Sequence, residues 1–198
     1  MIVKICGITN AEDARAAVEA GAGALGFNFY PGSPRYLSAA AAAAITERVP
    51  AGILKVGVFV NEAPARVAEI VRQAGLHVAQ LHGDEGVDDL PEDVRVWKTF
   101  RVSEAFGLEQ LESFPVEAFL LDTPTRMYGG SGNTFDWTRA RGAAARIIVA
   151  GGLDESNVRE AIAAAQPWGV DACSRLESAP GKKDHGRMAR FTAAAHFL

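Results

Sequence analysis

The sequence predicts an α/β protein of the (β/α)8 class, a closed parallel barrel ringed by helices. Three observations predict it. Short apolar runs alternate with capped, amphipathic stretches along the whole chain. Eight such runs can be counted, and eight strand-helix units favour closure into a barrel over an open sheet. Polar residues gather at the carboxyl ends of the runs while their interiors stay apolar, as expected where both sheet faces are covered and a ligand sits at one end.

Taken in order, the first strand is Ile2 to Cys6. Asn10 then caps a helix over Ala11 to Ala20, with acidic residues in its first turn and Gly21 ending it. The second strand is Ala24 to Phe29, and Ser38 caps a helix from Ala39 to about Val49. Leu54 to Val60 is the third strand, followed by a helix from Glu62 to Ala74 that Gly75 closes. His77 to Leu81 is the fourth. The segment after it, Asp84 to Pro91, is short and polar, so a shortened or missing helix is expected there. Val94 to Phe100, Ala118 to Leu121, Ile147 to Ala150 and Trp168 to Ala172 complete the eight strands. Helices are expected over Val102 to Glu112, Asp136 to Ala144, Ser156 to Ala165 and the C-terminal stretch. The alanine run near residues 39–44 is helix composition. A doubly wound open sheet would place a GxGxxG-type turn after its first strand, and Cys6-Gly7-Ile8-Thr9 does not fit.

The chain has 198 residues, so a single barrel domain over 1–198 is expected, with short loops, since such barrels run from about 200 residues upward. Its net charge of -4 gives no basic footprint for nucleic acid and no polybasic anchor for a membrane. No apolar run approaches the roughly 20 residues of a spanning helix. The first residues lack the blocks of a secretory signal, so a cytoplasmic location is expected, with Cys6 and Cys173 as free thiols. The expected partner is a small-molecule substrate, and the assembly is a monomer or homodimer.

Two strand ends carry the chemistry. Cys6 ends the first run and is followed by Gly7; Asp122 ends the sixth and is followed by Thr123-Pro124. A soft base and a carboxyl at two ends of one barrel point to proton transfer. Taken singly, each has a plainer reading: a strand cysteine as a small buried hydrophobe, a strand-end aspartate as a turn former. Arg35 lies in a proline-stiffened loop after the second strand, suited to gripping a carboxylate or pairing with a surface acid. Gly151-Gly152 after the seventh strand and Ser174 after the eighth occupy the usual phosphate corner of such barrels. Gln80 and His82 end the fourth strand and Asp171 ends the eighth; His82 either contacts substrate or is a hydrogen-bonded structural imidazole. No second His or Cys stands at ligand spacing, so no metal is expected. Gly129 to Thr134 holds three glycines, which suggest a lid over the site.

The segments VKICGIT (3–9), GFNFYPGSPRYLS (26–38), VGVFVN (56–61), QLHGDE (80–85), LLDT (120–123), YGGSGNTFDW (128–137), AGGL (150–153) and PGKKDH (180–185) resemble the phosphoribosylanthranilate isomerases, in order and nearly end to end. The resemblance implies an Amadori rearrangement of N-(5-phosphoribosyl)anthranilate in tryptophan biosynthesis. It implies Cys6 as general base, Asp122 as general acid and Arg35 as the partner of the anthranilate carboxylate. That reaction requires neither a redox cofactor nor a metal. Related histidine-pathway isomerases resemble such barrels but use a carboxylate where this chain has Cys6; a non-catalytic phosphate-binding barrel is the other alternative. One stretch departs from the family's usual serine, serine, glycine, branched apolar, glutamate: this chain reads Cys173-Ser174-Arg175-Leu176-Glu177. Arg175 either adds a cation at the phosphate or points to solvent. By composition Lys182-Lys183-Asp184 is a solvated patch; the family motif implies a structural brace.

Overall fold

The computed structural model describes residues 1–124 and 134–197. Eight parallel strands close into a barrel in sequence order. They are β1 (Ile2–Ile5), β2 (Ala24–Asn28), β3 (Leu54–Phe59), β4 (Val78–Leu81), β5 (Val96–Arg101), β6 (Ala118–Asp122), β7 (Ile147–Val149) and β8 (Gly169–Ala172). Pairing of β1 with β8 completes the closure. A small antiparallel hairpin of β9 (Glu177–Ala179) and β10 (Lys182–Lys183) follows. No helix among the described residues is long and apolar enough to cross a membrane.

Among the described residues five α-helices cover the outside: α1 (Ala11–Glu19), α2 (Ala39–Thr46), α3 (Pro64–Gln73), α4 (Val158–Ala165) and α5 (His185–His196). The caps read from sequence form. The side chain of Asn10 accepts from Asp13 N–H at 2.8 Å, and that of Ser38 from Ala41 N–H at 3.2 Å. Pro64 opens α3, where its missing N–H costs nothing.

Two expected helices are absent. The segment Val102 to Glu112 holds only a 3-10 turn, Leu108–Leu111, and Asp136 to Ala144 only Trp137–Ala140. Gly107 sits extended in the middle of the first, and Gly142, at φ +80, ends the second. Aromatic packing covers the barrel there: Phe100 meets the rings of Phe106, Phe114 and Phe119 at centroid distances of 6.1, 5.4 and 6.0 Å. The shortened helix after the fourth strand is a 3-10 turn, Val87–Asp89.

The core has two layers. Between barrel and helices lies a continuous apolar shell that includes Val3, Ile5, Phe119, Leu121, Val170 and Ala172. Inside the barrel, Ala24, Val56, Val78, Trp97, Ala118, Leu120 and Ile148 pack together. Trp97 fills much of that lumen and meets Trp168 edge-on at 5.9 Å. Strand residues alternate between the two layers. This parity fixes which strand-end side chains look into the barrel mouth.

Candidate active site

Parity assembles the site. On β1, Val3 and Ile5 face the helices, so Lys4 and then Cys6 face inward. On β6, Ala118 and Leu120 face inward, which brings Asp122 to the mouth. On β4, Val78 faces inward, so Gln80 and His82 follow it upward. On β8, Val170 and Ala172 face out and Asp171 and Cys173 face in. Cys6, Gln80, His82, Asp122, Asp171 and Cys173 all line one open cleft at the carboxyl ends of the strands. Its empty space is about 790 Å³, open solvent at the rim included. That is a volume suited to a small organic ligand.

The wall made by β1, β8 and the β9–β10 hairpin is charged. Lys4 is fully buried beneath Cys6, and its Nζ donates to Asp171 Oδ1 at 2.7 Å. Burial alone would favour a neutral amine; the Asp171 carboxylate beside it reverses that, and Lys4 stays cationic. Lys183 is buried too, and its Nζ donates to Glu177 Oε1 at 2.9 Å and to the Cys173 carbonyl at 3.1 Å. The same Nζ lies 3.9 Å from Cys173 Sγ. The two thiols lie side by side on adjacent strands. Interaction with the Cys173 thiol, with burial, raises the Cys6 thiol well above its ordinary value. Interaction with Cys6, with the Lys183 and Arg35 cations, brings Cys173 down to about 6. The pair therefore gives up its first proton more readily than an isolated thiol does.

The facing wall, from β4 and β6, is largely buried. Asp122 is pushed up to about 6, first by burial. The Thr123 N–H, 2.7 Å from Oδ1, opposes the rise. His82 Nε2 lies 3.5 Å from Asp122 Oδ2. Burial, reinforced by the Lys4 charge, lowers His82 to about 3, so the ring is neutral near pH 7. Gln80 Nε2 lies 3.2 Å from His82 Nδ1 and donates to Thr99 Oγ1 at 3.4 Å. With Nδ1 accepting from that amide, the His82 proton sits on Nε2, toward Asp122. Gln80 Oε1 is buried with no partner among the described residues. An orphaned acceptor beside the cleft suits a ligand hydroxyl.

The rim carries Arg35, the glycine pair and the turn after β8. Arg35 forks onto Glu177, with Nε to Oε1 at 2.7 Å and an Nη to Oε2 at 2.6 Å. That fork uses one edge of the guanidinium and leaves the second Nη for the cleft, which Arg35 lines. Gly151 and Gly152 have φ of +85 and +66, a region open to glycine. A Cβ on Gly151 would lie 2.3 Å from Thr123 Oγ1 and 2.6 Å from Asp122 Oδ1. Only glycine lets the backbone pass this close to Asp122. Ser174 and Arg175 open a 3-10 turn at the same rim. The Arg175 guanidinium is engaged by Asp154 at 3.0 Å, with its side chain partly exposed.

A family model for N-(5'-phosphoribosyl)anthranilate isomerase matches residues 3–194. The chain belongs to this family. An N-(5'-phosphoribosyl)anthranilate isomerase of Solibacter usitatus is 59% identical over 196 residues, covering 98% of this chain and 97% of its own. The crystal structure of a phosphoribosyl anthranilate isomerase from Thermus thermophilus superposes with a TM-score of 0.90 at 36% identity, covering 98% of both chains. Another solved isomerase, in complex with reduced 1-(o-carboxyphenylamino)-1-deoxyribulose 5-phosphate, matches with a TM-score of 0.85 at 38% identity, over 100% of both chains.

For this isomerase the structure brings every site residue expected from sequence into one cleft. Lys183 follows the structural brace that the family motif implied and not the solvated patch that composition suggested: it is buried under Glu177, and its backbone N–H donates to Asp13 Oδ2 at 3.0 Å. The Cys6–Cys173 pairing was legible only through the β1–β8 register, in which Lys4 matches Asp171 and Ile5 matches Ala172. Lys98, expected at the end of the fifth strand, lies midway along β5 and is taken up by Glu85 at 2.6 Å. The lid expected over Gly129 to Thr134 lies, apart from Thr134, outside the described residues.

Proposed function

We propose that Asp122 and Cys6 carry out the Amadori rearrangement of N-(5-phosphoribosyl)anthranilate as acid and base. Asp122, still partly protonated near neutrality, gives its proton to the furanose oxygen as the C1–O bond breaks. The anilino nitrogen lone pair forms the C1=N iminium. That cation acidifies C2–H. The Cys6 proton passes to the neighbouring Cys173 sulfur, so that Cys6 becomes the thiolate that takes the C2 proton. The electron pair of the C2–H bond forms the C1=C2 bond and neutralises nitrogen. Protonation at C1 and loss of the O2 proton give 1-(o-carboxyphenylamino)-1-deoxyribulose 5-phosphate.

Arg35 offers its free edge to the ring carboxylate. Gly151, Gly152, Ser174 and Arg175 offer backbone N–H groups to the phosphate. Gln80, through its orphaned oxygen, and Asp171, beside Lys4, hold sugar hydroxyls. His82 orients Asp122. One observation carries the reading: a largely buried carboxyl and a thiol above a buried cation line the same cleft. The test follows the anthranilate fluorescence of N-(5-phosphoribosyl)anthranilate on addition of the protein. Conversion to the ketose is expected. Absence of conversion overturns the reading.

A further inference from the structure

Cys173 offers more than a temporary seat for a proton. The β1–β8 register pairs Ile5 with Ala172, so Cys6 and Cys173 are the next neighbours upward on adjacent strands. Cys6 N–H donates to the Ala172 carbonyl at 2.9 Å, which holds the two chain ends together. Both side chains face the lumen. Neighbouring strands lie about 4.8 Å apart, inside the Cα separation of roughly 4.4–6.8 Å that a disulfide spans. Glycines make room for both sulfurs. A Cβ on Gly26 would come within 2.6 Å of Cys6 Sγ, and one on Gly7 within 2.9 Å of Cys173 Sγ. Both cysteines are free, and both line the cleft, where a small solute can reach them.

We propose that Cys6 and Cys173 form an oxidisable dithiol, closed to a disulfide by a hydroperoxide, and that closure stops catalysis. Cys173, held as an anion beside Lys183, is the attacking sulfur. It attacks one peroxide oxygen; the S–O bond forms, the O–O bond breaks, and the departing hydroxide leaves as water with one proton from solvent. Cys6 then attacks the sulfenic sulfur. The S–S bond forms, the S–O bond breaks, and the Cys6 proton leaves with hydroxide as a second water. Two electrons pass from the two sulfurs to one peroxide. A small thiol reverses the change by exchange. The disulfide itself depends on the geometry alone; the loss of activity rests on the assignment of Cys6 as the base.

The experiment treats the enzyme with hydrogen peroxide, quenches in acid, alkylates under denaturing conditions and measures intact mass beside activity. The chain has two cysteines. Expected are loss of both alkylatable thiols, a mass lighter by two hydrogens, loss of activity in step, and recovery of all three with dithiothreitol. Cys173→Ser should gain oxygen under the same treatment and never lose hydrogens. Two thiols that persist, added oxygen on the wild type without hydrogen loss, or a disulfide between two chains on a non-reducing gel overturns the proposal. A disulfide within one chain that leaves turnover unchanged overturns instead the role of Cys6 as base.

Discussion

The two walls of the cleft are built on opposite principles. The β1–β8 wall is crowded with charge: Lys4 on Asp171, and Lys183 and Arg35 on Glu177, all wholly or largely buried. The β4–β6 wall holds a carboxyl and a neutral imidazole with few strong partners. Fixed cations on the first wall stabilise an anionic sulfur. Desolvation on the second keeps a carboxyl protonated far above its ordinary 3.8. The contrast teaches that surroundings adjust both groups: burial lifts the carboxyl toward neutrality, and the neighbouring thiol and cations bring the Cys173 sulfur down toward it.

The largest effect expected from breaking this contrast is on turnover. Asp122→Asn removes the transferable proton, and Cys6→Ser replaces the thiol with a hydroxyl that scarcely ionises. Each should lower kcat by about 10²–10⁴-fold, measured by the same fluorescence assay. A wild-type rate in either variant would remove that residue from the chemistry. A smaller effect should come from Cys173→Ser. In the wild type the dithiol loses its first proton near 6, so the acid limb of kcat/KM should fall there. Without Cys173, the limb should move up toward the ordinary thiol value of about 8.5. An unmoved limb would mean that Cys173 does not share the Cys6 proton.

The smallest effect is on stability. The Asp122 pKa is higher in the folded protein than in the unfolded chain, so the native state binds more protons between 3.8 and about 6. Stability from this group is full at low pH and is lost as pH rises through about 6. The separation corresponds to roughly 2–3 kcal/mol. Asp122→Asn should therefore raise Tm at pH 8 by roughly 5–10 °C, with the gain vanishing toward pH 4. An equal gain at both pH values would show that the carboxyl charge is not its source.

The helix-poor side of the barrel shows where sequence periodicity stops being informative. The segment Val102 to Glu112 has apolar spacing that suits a helix, yet Gly107 is extended and Phe106 joins a ring cluster. Packing against Phe100 decided that segment, because a short helix interrupted by glycine has little propensity of its own to resist it. The site shows the converse. Cys6, Asp122, His82 and Gly151 were legible because strand ends, parity and glycine turns are local features.

What the chain determined by itself was the eightfold alternation, the parity that turns Cys6 and Asp122 inward, and the capped helices around them. These follow from backbone periodicities of a few residues. Only the closed barrel decided which distant groups meet: Lys4 with Asp171, Arg35 with Glu177, and Cys6 with Cys173. Those encounters depend on strand register and burial across some 140 to 170 residues. No local pattern encodes them, and they set the charge around the two sulfurs.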